Sequence, residues 1–389
     1  MPRQTGAIAR RGAACLVAAI ALAGCAGGST GASSITATGQ TLDIYISEPA
    51  NIAADPVEQD VVDAEKLAYH AQSSEVKDYG LQLIVIRRPT LSDNARTAIQ
   101  DKSAIAYLGE LAPGSTEQTA GIMNALDLLT VSPTDNALEL TQATAAIANA
   151  PDHYYESLST LGHTFARVVP SSYKEAGFAV SLIKALGAAS VYVGDDGSDY
   201  GKAIARALRS AASSGSVTVA SSESGAGAIF YGGTSPTAAA GFFNAAASTD
   251  PAAKLLAPSA LDSPAFTAAL SAAARAHMYI TTPGIPPSAE TAAGRTFIST
   301  FKADHGHAPS VEAIFGYEAM TDTLDAILNS GSAGDKRGTV IKSLFKLKDP
   351  ARSVLPGYSF DSSGDTSLAD FVYIAPGGAV HALPSSTAG

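Results

Sequence analysis

The sequence predicts an α/β fold built as two doubly wound, parallel-sheet lobes. Short β-branched or apolar runs alternate with stretches of helical periodicity, the pattern that makes a parallel sheet covered by helices. Two such series follow one another along the chain. Once the two terminal segments are set aside, about 340 residues remain, enough to bury two cores without help from disulfides.

The first series opens with Leu42 to Ser47, whose alternating β-branched residues predict a strand. Val57 to Gln72 places Val57, Val61, Val62, Ala64, Leu67 and Ala68 on one helical face. Leu81 to Ile86 is a continuous apolar run, fitting a strand buried on both faces. Ser92 is in position to cap a helix through Gln100, and Ala104 to Leu108 gives a third strand. A fourth, Leu128 to Val131, ends in the polar stretch Ser132-Pro133-Thr134-Asp135-Asn136.

Between the third and fourth strands lies Gly109-Glu-Leu-Ala-Pro-Gly114-Ser115-Thr116, with a helix expected through about Leu126. The glycine spacing is that of a phosphate loop, but Ser115 stands where the essential Lys belongs, so triphosphate binding is not expected. Two readings remain: free backbone N–H groups and two hydroxyls waiting for a carboxylate, or Ser115 and Thr116 simply capping the helix.

The second series runs from Phe165 through Gly177 into a helix at Phe178 to Leu186, then a strand at Ser190 to Val193. The turn Gly194-Asp195-Asp196-Gly197 leads to a helix from Tyr200 to Ala211. This turn also imitates a phosphate loop and also fails, because three residues rather than four separate Gly197 from Gly201 and Ala203 replaces the Ser or Thr that would hold magnesium. Strands follow at Val217 to Ala220, Ala228 to Tyr231, Lys254 to Ala257 and His277 to Thr281, with helices at Pro236 to Ala246 and Pro264 to Ala274.

The N-terminus carries Arg3, Arg10 and Arg11, an apolar run from Ala13 to Ala23, and Leu22-Ala-Gly-Cys25. That order describes a secretory signal, too short for a permanent membrane span. Residues 26–40, rich in Gly, Ser, Thr and Ala, read as a flexible tether. Cys15 and Cys25 are the only cysteines, so the exported body has neither a disulfide nor thiol chemistry. Without the signal the chain holds 22 basic and 36 acidic residues, a net charge of −14 that argues against nucleic acid or anionic lipid as partners.

The chain resembles the branched-chain amino-acid binding proteins of the periplasmic binding protein type 1 family, the solute receptors of ABC transporters. The residues that carry the resemblance begin with Ile105-Ala-Tyr-Leu-Gly109 and Gly114-Ser115-Thr116, then Leu129-Thr-Val-Ser-Pro133 and Phe165-Ala-Arg167 through Gly177. They continue with Val191-Tyr-Val-Gly-Asp195 into Asp199-Tyr200-Gly201, and with Phe230-Tyr-Gly-Gly233. Ala308-Pro-Ser310, Ala313 through Met320, and Gly357-Tyr-Ser-Phe-Asp361 before Gly364-Asp365 complete the series over residues 42–376. Leu22 to Cys25 likewise resembles a bacterial lipobox, which implies that Cys25 is lipid-modified and holds the protein on the outer face of the cell membrane.

The resemblance implies a three-strand hinge, with crossings near residues 165, 282 and 332. Lobe 1 would comprise residues 41–165 and 283–331, lobe 2 residues 166–282 and 332–378, and residues 379–389 a disordered tail. Ser115 and Thr116 match the family loop that holds the ligand carboxylate, and Ser132, Thr134 and Asn136 lie on the adjoining loop. Tyr200 matches the Tyr that closes over the ligand; the alternative is a Tyr packing at a helix start. Thr234 replaces a frequent aromatic, and Ser259 replaces a Glu that pairs with the ligand ammonium, removing a bond worth about 1.5–3 kcal/mol. The link from Val217 to Phe230 is short, as if a helix were missing. Asp195 or Asp196 could supply a replacement anion, or merely be solvated turn residues.

His305 and His307 are too close for an i, i+4 metal pair, so a solvated loop is expected there, with no metal and no cofactor. No Gly-x-Ser-x-Gly elbow occurs and the seven His suggest no triad, so no enzyme is expected. The function implied is an exported, lipid-anchored receptor binding a small amino-acid-like or carboxylate ligand between its lobes. Its partner would be a membrane permease or a sensor protein. The alternative is an envelope scaffold or sensor module that kept the fold and lost the pocket.

Overall fold

A computed structural model of the chain describes residues 35–155 and 161–383; the expected signal segment, Cys25, most of the expected tether and residues 384–389 lie outside this range. Lobe 1 is a five-stranded parallel sheet with strands β1 (Leu42–Ser47), β2 (Leu81–Ile86), β3 (Ala104–Leu108), β4 (Leu129–Ser132) and β5 (Phe165–Arg167). Their order, β2-β1-β3-β4-β5, is that of a doubly wound sheet. The helices α1 (Pro56–Gln72), α2 (Leu91–Gln100) and the short α3 (Ala120–Asn124) connect them.

Lobe 2 contains α4 (Ser172–Ala185), β6 (Ser190–Asp195), α5 (Asp199–Ser214), β7 (Thr218–Val219), β8 (Ala228–Gly232), α6 (Pro236–Thr249) and β9 (Lys254–Ala257). It continues with α7 (Pro264–Ala269), α8 (Ala272–Arg275) and β10 (Met278–Pro283). The chain then returns to lobe 1 as α9 (Ala292–His305), α10 (Ala313–Ser330) and α11 (Arg337–Leu344), and re-enters lobe 2 as β11 (Phe371–Ile374) and β12 (Val380–His381). The second sheet has the order β12-β11-β10-β9-β8-β6-β7, parallel except where β11 pairs with β10 and β12 with β11. No helix occupies residues 220–227, between β7 and β8, where the sequence reads as short.

Most predicted strands and helices stand within a few residues of their expected bounds; the differences are local. Thr90 rather than Ser92 caps α2, its hydroxyl accepting from the Asp93 amide at 3.1 Å. The stretch after Gly114 forms a 3-10 turn, Ser115–Gln118, and then only α3, because Asp135 and the β4 loop compete for its first amides. The third crossing lies between Leu368 and Phe371 rather than near 332. Val340, Ile341, Leu344, Tyr358 and Leu368 pack in the lobe 1 core, and Arg337 donates to the carbonyls of Ala104 and Leu126. The tether ends before residue 40, since the Ala37 amide bonds the Asp335 carbonyl at 2.7 Å and Thr36 bridges to Lys336. The expected tail begins later than 379, because Val380 and His381 pair with β11.

Helices α1 and α10 cover one face of the first sheet. Gly316 permits their closest approach, for a Cβ there would strike the Val61 carbonyl. Between β4 and β5 a long segment leans on lobe 2, where Leu138, Leu140, Tyr154 and Tyr155 share a core with Leu182, Ile204 and Leu208.

Arg167, 0% exposed, fastens the base of this segment. It donates to the carbonyls of Asp135 at 3.2 Å and Ala137 at 2.6 Å and to the Thr141 hydroxyl at 2.6 Å, while its Nε lies 2.8 Å from Asp365. Asp365→Ala leaves that guanidinium buried without its counter-charge. A loss of about 3–5 kcal/mol is expected, read from the urea midpoint at unchanged slope.

Candidate functional site between the lobes

The carboxyl ends of β3 and β4 bring the two polar loops of lobe 1 together. Gly114 has φ +82°, and a Cβ added there would sit 3.2 Å from Tyr200 Cβ and 3.9 Å from Thr234 Cγ2, so glycine brings the two lobes into contact. Its amide donates to Asp135 Oδ1 at 2.7 Å and the Thr116 amide donates to Oδ2 at 2.8 Å, with the Ala137 amide reaching Oδ1 at 3.1 Å. The amide cradle expected to hold a ligand carboxylate therefore holds one from the chain itself.

The hydroxyls in this region are likewise engaged. Ser132 donates to the Glu110 carbonyl at 2.6 Å and Thr134 to the Leu111 carbonyl at 2.7 Å. Thr116 accepts from the Glu110 amide, and Ser115 donates to the Ala112 carbonyl. Glu110 lies beneath, fully buried, accepting from Tyr107 at 2.6 Å and Ser47 at 2.7 Å. Burial pushes its pKa up to about 7 although those hydrogen bonds pull it down.

Asn136 crosses to lobe 2. Its Nδ2 donates to Glu175 of α4 at 2.7 Å and to the Ser259 hydroxyl at 3.0 Å. Glu175 also accepts from the Ser259 amide at 2.7 Å, the Ser259 hydroxyl at 3.0 Å and Thr281 at 2.6 Å. Ser259, which replaces an acid in the family pattern, thus meets an acid supplied by α4. Tyr200 is 1% exposed; burial raises its pKa far above the phenol value, Glu175 raises it further, and a side-chain hydrogen bond with Ser259 opposes them. Asp196 holds its own turn, accepting from the Ser198 amide at 3.0 Å and the Thr234 amide at 2.9 Å, and Asp195 accepts from the Gly197 amide. Tyr154 donates to Asp199 at 2.9 Å, a further tie between the long segment and lobe 2.

What stays open is a cleft of about 270 Å³, displaced toward the N-terminus of α1. Thr134, Thr234 and Ser259 line it, whereas Ser115, Thr116, Ser132, Asn136 and Tyr200 do not. Its charged lining is acidic throughout: Asp55 and Glu58 from lobe 1, Asp262 from lobe 2, and Glu312 just before α10. Asp55 caps α1, accepting from the Val57 amide at 3.0 Å, and Glu312 accepts from Thr282 at 2.8 Å. Burial first, then the Asp55 charge, pushes both Glu58 and Asp262 up to about 7; burial and the charge of Asp262 raise Glu312 well above the carboxylate range.

Sequence reading missed Asp135, Glu175, Glu58, Asp262 and Glu312 as site residues. Asp135 sits inside a stretch singled out for its polarity, but no spacing tells that its carboxylate turns back on Gly114. His305 stacks on Phe301 with its ring 3.7 Å from Asp63, and His307 lies 3.7 Å from Asp60, so the structure supplies both with carboxylates that sequence proximity did not reveal.

Neither a protein-family model nor a curated protein matches the chain. Solved structures do. The leucine-binding protein LivK of Thermotoga maritima matches with a TM-score of 0.70 at 19% identity, covering 88% of this chain and 99% of its own. A periplasmic binding protein type 1 from Bordetella pertussis Tohama I gives 0.67 at 13% identity, over 89% and 98%. A solute-binding protein of an ABC transporter from R. palustris, in complex with benzoate, gives 0.64 at 13% identity, over 87% and 94%. The chain therefore has the fold of the type 1 periplasmic binding proteins, as its motifs implied.

The raised carboxyls have a consequence for stability. Glu58, Glu110 and Asp262 reach about 7, against an ordinary value of 4.5 for Glu and 3.8 for Asp, so the folded chain binds their protons more tightly than the unfolded one. Their contribution is greatest near the unfolded values and is lost as pH rises toward 7. The melting temperature is expected to fall between about pH 5 and pH 8 at constant ionic strength, and calorimetry showing a rise would contradict this.

Proposed function

We propose that the protein is an exported, lipid-anchored solute receptor that binds a small polar ligand between its lobes and presents the bound form to a membrane permease of an ABC transporter. The observation that carries the reading is an open cleft walled by both lobes in a fold whose solved neighbours include a leucine-binding protein and a benzoate complex. Hinge motion of the lobes would convert occupancy into a shape that the permease reads. Binding rather than catalysis fits the roles of those neighbours.

A second reading has its own support. Asp135 fills the amide cradle, and Ser259 stands at the position expected to be acidic; an envelope scaffold or sensor module that kept the fold without a transported ligand would look the same.

A metabolite panel read by melting temperature separates them: a true ligand at 100 times its Kd adds about 2.7 kcal/mol, and no shift with any small molecule would favour the scaffold. Tyr200→Ala opens a hole behind Ser259 and is expected to weaken ligand affinity; unchanged affinity would mean that Tyr200 only packs. Anchoring through Cys25 predicts that Cys25→Ala moves the protein from the membrane to the soluble fraction on ultracentrifugation.

A further inference from the structure

We propose that β2 is the joint of a twofold dimer: it pairs antiparallel with β2 of a second copy of this chain, and the lobe 1 sheets of both copies become one.

The strand is the outermost of its sheet. Its sequence, Leu-Gln-Leu-Ile-Val-Ile, is of the kind that predicts burial on both faces, yet Val85 is 41% exposed, Gln82 is exposed, and Leu81, Leu83 and Ile84 are half-buried. The other sheet edges are kept from pairing with a neighbour by being short: β5 is a buried strand of 3 residues, and β7 and β12 have 2 residues each. β2 has 6 residues, with no proline, no charge and no bulge against β1.

Its free backbone groups fix how a partner would fit. The Leu42 amide donates to the Gly80 carbonyl at 2.8 Å and the Glu48 amide to the Ile86 carbonyl at 2.9 Å, and the β1–β2 register between them runs without a shift. The even-numbered residues of β2 therefore bond β1, and the amides and carbonyls of Leu81, Leu83 and Val85 point away toward the free edge. None of these groups has a partner among the described residues. In an antiparallel pair, residues with such groups stand opposite one another and exchange both bonds. A twofold axis at Leu83 sets Leu83 opposite Leu83 and Leu81 opposite Val85, and every one of these groups is then paired within the strand.

Charge and apolar packing agree with this arrangement. Asp78, just before β2, and Arg88, just after it, are exposed and without side-chain partners among the described residues, while Arg87 is held by Glu48 at 2.6 Å. An antiparallel copy brings each Arg88 toward the other copy's Lys77-Asp78 turn, where a carboxylate is free; a parallel one would set Arg88 beside Arg88. Leu81 and Leu83 continue the core under α1 and α10, and Ile84 the core under α2, so an added strand extends the apolar layer on both faces. The joint uses lobe 1 alone and leaves lobe 2 of each copy its own hinge.

The test uses the full chain carrying Cys15→Ala and Cys25→Ala, so that no other thiol is present. Light scattering is expected to give the mass of two chains, falling to one on dilution. Opposed residues of this type lie about 5.5 Å apart between Cα atoms, within disulfide reach, whereas Val85 of the two copies would be separated by roughly 13 Å along the strands. Mild oxidation should therefore crosslink Leu83→Cys and not Val85→Cys. Val85→Lys places a charge on the edge and is expected to weaken the dimer at least tenfold with an unchanged circular dichroism spectrum. A single-chain mass at every concentration would overturn the proposal, and so would a mass that grows beyond two chains. A dimer in which Val85→Cys crosslinks as readily as Leu83→Cys, or which a folded Val85→Lys does not weaken, would overturn it by placing the joint elsewhere.

Discussion

Carboxylates buried where two lobes meet must be surrounded by donors, and this requirement shapes the centre of the molecule. Glu175 takes four hydrogen bonds, from Asn136 on the β4 loop, from the amide and hydroxyl of Ser259 after β9, and from Thr281 on β10. Asp135 takes three from backbone amides of the Gly114 loop and of its own turn. Removing any one partner would leave a buried charge short of a donor, so the strand ends of both lobes are held in one arrangement.

That arrangement decides where space remains. Closure at Gly114, Tyr200 and Ser259 consumes the strand-end polar groups, and the cleft survives only toward the N-terminus of α1. Its charged lining there is acidic. The long segment between β4 and β5 strengthens the closure by adding Leu138, Leu140 and Tyr154 to the lobe 2 core and by the bond from Tyr154 to Asp199.

Much of the fold was legible in the sequence because it depends on local patterning. The runs Leu42–Ser47, Leu81–Ile86, Ala104–Leu108 and Lys254–Ala257 are strands at the bounds their apolar residues predict. Legibility failed where tertiary competition outweighed local preference. Ser115 and Thr116 look like the start of a helix, but with the Gly114 and Thr116 amides directed at Asp135 the chain makes a 3-10 turn. Arg337 to Leu344 carries apolar residues that could face the core of either lobe, and the packing of Val340, Ile341 and Leu344 together with the lobe 1 carbonyls that receive Arg337 determines which. In the site, Thr134, Thr234 and Ser259 were legible as cleft residues from motif position, while Glu58, Asp262 and Glu312 come from three separate elements with no shared spacing.

By itself the sequence determined an α/β chain of two lobes, an acidic and cysteine-free body, and the loops on which polar groups gather. These follow from side-chain periodicity and composition, which act over a few residues. Only the tertiary structure decided that the carboxylate in the amide cradle is Asp135, that Glu175 meets Ser259, and that the open space is lined by acids. Those pairings join residues between 2 and 84 positions apart, and burial gives them their consequence: withdrawn from water, each carboxylate needs a donor, and the folded chain alone fixes which donors are left.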